Sequence, residues 1–210
     1  FFRDFRGDTV HPSTMEILDQ LGMLDRFLKR PHNRVEGAEL RMAGREWTIG
    51  DLTHLRTPAP FIAMMPQWDF LDFMTTRGRA FPTFKLRMES EAVDLIQEQQ
   101  RIAGVMVKTP EGMLEVRATL TIGADGRSSV VRERAGLQID TLSVPIDVLW
   151  LRLSRREQDP LDLLSTVRDR DVLVTINRGD YWQCAFPIPK GRFDELQQAG
   201  LDAFRQRIAR

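Results

Sequence analysis

The sequence predicts a mixed α/β (α+β) fold, and three observations carry that prediction. An apolar run ends at Ile122 and turns through Gly123-Ala124-Asp125-Gly126 into a hydroxyl-rich segment, the strand, turn and helix order of an α/β domain whose ligands sit at strand C-termini. Short alternating runs separated by turn residues precede that turn, so the chain is not a plain strand-helix repeat. Later runs at Leu149 to Leu153, Val172 to Asn177 and Tyr181 to Phe186 predict a further sheet.

Element by element, Ser13-Thr14-Met15-Glu16 has the capping-box pattern and opens a helix from about Pro12, with Ile17, Leu21, Leu24 and Leu28 as its apolar positions. Gly22 can close the first section in a left-handed cap, and Pro31 stops the continuation. Leu40 and Met42, then Trp47 and Ile49, alternate about Ala43-Gly44, which predicts a hairpin with one buried face. Thr57-Pro58-Ala59-Pro60 breaks regular structure, and Phe70, Leu71 and Met74 mark a second helix from Gln67 to about Arg77.

Phe84, Leu86 and Met88 alternate with charged residues, and strand-like runs follow at Ala92 to Gln97, Ile102 to Lys108 and Met113 to Arg117. Thr109-Pro110-Glu111-Gly112 supplies a turn, because proline presets φ and glycine permits a positive one. This meander is expected to lead into a strand at Thr119 to Ala124, then a short helix from about Val131 to Gly136. Asn177-Arg178-Gly179-Asp180 is a hairpin turn, Pro187 and Pro189 are expected to end the strand after it, and Leu201, Phe204 and Ile208 form a closing amphipathic helix.

Composition removes several functional classes. With 210 residues, 42% of them apolar, the chain can bury a core as one domain or two small ones. Thirty basic and thirty acidic residues cancel, so nothing favours a nucleic-acid partner, and Arg152, Arg155 and Arg156 read as a solvated surface cluster. One cysteine, Cys184, precludes an intrachain disulfide framework and suits a reducing, cytoplasmic setting. His11, His32 and His54 lack metal-ligand spacing, so no metal site is expected. No apolar run of about eighteen residues is present, and no basic-then-apolar leader opens the sequence.

The residues alone leave Asp125-Gly126 with two readings. One is an ordinary turn in which Arg132 pairs with a local carboxylate; the other is a cofactor turn with main-chain N–H groups and a carboxylate beside an anion. Trp150, Tyr181 and Trp182 are core residues or walls for a flat ligand. Cys184, in mid-strand, reads as a buried inert thiol, and no acid or nucleophile stands at a meaningful spacing from His11 or His54. The sequence therefore names no catalytic residue.

Asp125, Gly126, Ser128 or Ser129, and Arg132 resemble the Asp-Gly motif of the class A FAD-dependent monooxygenases, the family typified by para-hydroxybenzoate hydroxylase. Asp4 to Gly22 is similar to the family segment in which an arginine approaches the cofactor, which falls on Arg6. The stretch MPQWDFLDFM resembles the helix whose leading glutamine contacts the flavin side, which falls on Gln67, and Trp182 to Gly191 resembles a substrate-domain strand with its loop. The resemblance implies a dinucleotide-type FAD-binding domain, residues 1–32 and 64–140, interleaved with a β-sheet substrate domain, residues 33–63 and 141–210. Both are expected to be incomplete, since the family's opening Gly-x-Gly-x-x-Gly turn and its later Gly-Asp motif are not in the sequence.

The resemblance further implies cofactor contacts from Arg6, Gln67, Asp125 and Gly126. Arg6 has the forked donors that suit a pyrophosphate, and Gln67 can both donate and accept across a ribityl hydroxyl and a phosphate. The implied reaction is hydroxylation of an aromatic or related small organic substrate with NAD(P)H as co-substrate and O₂, through a flavin C4a-hydroperoxide. Alternatives are a flavin-dependent reductase, a halogenase, or a non-catalytic module. Trp182 to Pro189 resembles the halogenase Trp-x-Trp-x-Ile-Pro signature, but Cys184 stands where its second tryptophan would be.

Overall fold

In the computed structural model, residues 9–142, 144–159, 164–168 and 171–209 are described. Their elements run β1 (Thr9–Val10), α1 (Pro12–Gln20), α2 (Leu24–Leu28), β2 (Asn33–Val35), β3 (Gly37–Met42), β4 (Arg45–Asp51), β5 (Ile62–Met64), α3 (Gln67–Gly78), β6 (Glu91–Glu98), β7 (Arg101–Thr109) and β8 (Gly112–Arg117). There follow α4 (Val130–Arg134), β9 (Ile146–Ser154), β10 (Leu164–Arg168), β11 (Asp171–Asn177), β12 (Tyr181–Pro189), α5 (Phe193–Ala199) and α6 (Leu201–Ala209). The chain forms two compact units, residues 1–78 with 144–210, and residues 79–143.

The first unit holds two sheets. The smaller has the order β1-β5-β2 and packs with α1, α2 and α3 around Met15, Phe27 and Ala63, all at 0% exposure. Phe27 meets Phe70 and Phe73 edge-on, with centroids 5.9 and 5.7 Å apart, the geometry aromatic quadrupoles favour. Helix α1 differs from its sequence pattern. His11 is the N-cap and Pro12 the first helical residue, so the Ser13 to Glu16 box lies inside the helix and makes no cap; proline's preset φ starts the helix there. Its inward residues are Pro12, Met15 and Leu18, spaced three apart on one face, while Ile17 and Leu21 face outward. Gly22, at φ 65°, ends this section as expected, with the Met23 N–H returning to the Leu18 carbonyl.

The larger sheet has the order β4-β3-β10-β11-β12-β9. Its ladders are antiparallel except for β3 with β10, a parallel pairing between segments more than a hundred residues apart. The β3-β4 hairpin forms around Ala43 and Gly44, but neither of its faces is buried: Met42, Trp47 and Ile49 are exposed because no described layer covers this end of the sheet. Strand β12 continues through Pro187 and Pro189 instead of stopping. Its ladder to β11 ends at Ala185, so beyond that point one side needs no N–H donor and proline is tolerated. Register sorts the faces. Trp150 lies opposite Ala185, placing it on one face with Gln183 and Tyr181, whereas Trp182 lies opposite Leu153 on the other face with Cys184 and Phe186. Helix α6 packs on that second face, where Phe204 meets Phe186 edge-on at 5.4 Å and Arg207 grips Asp171 with two hydrogen bonds.

The second unit is the antiparallel meander β6-β7-β8 with α4 packed against β6. The expected strands at 84–88 and at Thr119 to Ala124 are absent. After the Ala118 N–H bonds the Ala103 carbonyl, no ladder partner occurs among the described residues, and Leu120 and Ile122 are exposed. An apolar run needs a neighbouring strand before it becomes sheet, whatever its own propensity.

Candidate functional site

The Asp125 turn is built from its own helix outward. Ser129 is the N-cap of α4: its Oγ accepts the Arg132 N–H at 3.0 Å and donates to Asp125 Oδ1 at 2.5 Å. Asp125 Oδ2 also accepts the Val131 N–H at 3.2 Å. The Ser129 hydroxyl, with main-chain N–H groups behind it, holds the Asp125 carboxyl below its ordinary range. The helix start therefore already has an anion of its own, with the Val131 and Arg132 N–H groups engaged by Asp125 and Ser129. Arg132 donates to the Arg127 carbonyl at 2.7 Å and makes no carboxylate pair among the described residues.

These residues still fit a hydroxyl-rich group. Asp125 is solvent-exposed and each carboxylate oxygen keeps acceptor capacity, which suits a sugar or ribityl hydroxyl better than a phosphate. Gly126, at φ 89° with nothing within 4 Å of where a Cβ would stand, leaves its backbone approachable.

Gln67 opens α3 as expected, in the first unit, whereas Asp125 and Gly126 belong to the second; Arg6 lies outside the described residues. Beside Gln67 the first unit has a cavity of about 420 Å³. It is lined at the entrance to β2 by Pro31, His32 and Asn33, at the head of α3 by Met64, Pro66, Trp68 and Asp69, and at the β11-β12 turn by Arg178, Gly179 and Tyr181. The two sheets meet here, because the Asn33 side-chain amide donates to the Asn177 carbonyl at 3.0 Å. The Arg178 Nε donates to Gln183 Oε1 at 2.9 Å, and the Arg152 guanidinium lies 3.9 Å from the Tyr181 ring centroid. Sequence reasoning missed Asp69 and Arg178; the one available signal was an acidic residue in the first turn of a helix already expected from Gln67.

Of the three aromatic residues weighed as ligand walls, only Tyr181 lines this cavity. Trp182 is 9% exposed and donates its indole N–H to Asp159 at 3.2 Å, while Trp150 stands partly exposed on β9. Cys184 is fully buried and desolvation raises its thiol to about 11. No cluster of metal-ligating side chains occurs among the described residues, and no described helix is long and apolar enough to cross a membrane.

Residues 1–198 match the family model described as an FAD binding domain. The chain is 28% identical over 207 residues to 6-methylpretetramide 4-monooxygenase of Streptomyces rimosus, covering 98% of this chain and 49% of that protein. In fold it resembles the myxobacterial chondrochloren halogenase, with a TM-score of 0.80 at 18% identity over 99% of this chain and 49% of that one. It also resembles p-nitrophenol 4-monooxygenase of Pseudomonas putida, with a TM-score of 0.75 at 19% identity over 92% of this chain and 50% of that one. The chain thus spans about half the length of these relatives.

Proposed function

We propose, from the premise that this chain belongs to the FAD binding domain family, that it is part of an FAD-dependent monooxygenase acting on an aromatic or related organic substrate with NAD(P)H and O₂. The match across residues 1–198 carries this reading, and the similarity to a monooxygenase over 98% of the chain supports it. The halogenase likeness is one of fold alone, and the buried Cys184 at the second tryptophan position of the halogenase signature favours oxygenation.

In this reading Gln67 bonds the flavin side of FAD, Asp125 accepts a hydroxyl of its sugar or ribityl portion, the Gly126 backbone lies alongside, and Arg6 meets the pyrophosphate. Bound FAD supplies the redox chemistry that accepts reducing equivalents and activates oxygen. The chain's own residues bind and orient: α3 presents Gln67 and the cavity behind it, and the buried faces of β12 keep water from the sheet interior. The larger sheet, whose strands all fall within 33–63 and 141–210, supports an interleaved organisation with cofactor binding in 1–32 and 64–140 and substrate binding in 33–63 and 141–210. A single buried thiol suits a reducing, cytoplasmic setting.

The test is turnover of the full-length protein under ¹⁸O₂ with NAD(P)H. One labelled oxygen atom in the organic product is expected; a product labelled only from water would overturn the assignment. Asp125→Ala and Gln67→Ala are each expected to weaken FAD binding about tenfold, the scale of one charged or bifunctional hydrogen bond.

A further inference from the structure

We draw no further inference here: the strongest candidate, the outer edge of β9 in the six-stranded sheet, where Ile146, Val148 and Trp150 stand exposed, carries none because nothing in the structure shows what covers it.

Discussion

The side-chain amide of Asn33, at the start of β2, donates to the main-chain carbonyl of Asn177, at the end of β11, across 3.0 Å. It ties the small sheet that carries the head of α3 to the large sheet that carries Arg178 and Tyr181, and the cavity lies along that seam. Asn33→Ala is expected to cost about 1 kcal/mol or less, since the bond is exposed, and to weaken binding of cavity ligands more than it weakens FAD binding. Parallel urea titrations and ligand titrations check this; equal losses in both affinities would contradict a seam-specific role.

Phe186 is 1% exposed and packs against Phe204, with the Arg207 guanidinium 5.2 Å from its ring centroid. Truncation to alanine removes a core aromatic and the surface on which α6 docks. A loss of about 3–5 kcal/mol in urea unfolding is expected. A change below about 1 kcal/mol would mean that α6 does not depend on this contact.

The two hydrogen bonds from Arg207 hold Asp171 below its ordinary carboxyl value of 3.8. A depressed carboxyl stabilises the fold above that ordinary value, and the contribution disappears as pH falls through the lower, folded one. Because both partners are partly exposed, solvent screening limits the effect to about 1 kcal/mol or less. Arg207→Gln should therefore narrow the stability difference between neutral pH and pH below 3.8, as read from urea midpoints. Unchanged acid sensitivity in the variant would contradict the pairing.

Cys184 is fully buried in mid-strand, with its thiol raised to about 11 by desolvation. It should resist a thiol reagent at neutral pH in the native protein and react fully in urea. Rapid native labelling would contradict the packing described for β12.

Local signals account for what the sequence made legible. Turn residues at Ala43-Gly44, Pro110 to Gly112 and Asn177 to Asp180, with alternation beside them, fall where hairpins form, and the apolar spacing after Gln67 falls on α3. What stayed hidden is non-local. Strands β1, β2 and β5 have two or three residues each and exist only by pairing with one another, and β10 is recruited by a parallel ladder to β3. Conversely, Leu120 and Ile122 carry strand propensity without a described partner and do not form a strand. Gln67 and Asp125 were singled out through the family resemblance and not by spacing alone, and the cavity draws Asn33, Asp69 and Tyr181 from three distant segments that no local pattern links.

FAD binding, expected from the family match over residues 1–198, is tested most directly by the visible absorption spectrum of the purified full-length protein. The two visible bands of a bound flavin are expected, lost on unfolding and restored when FAD is returned to the refolded protein. A colourless protein that takes up no FAD on reconstitution would contradict the account.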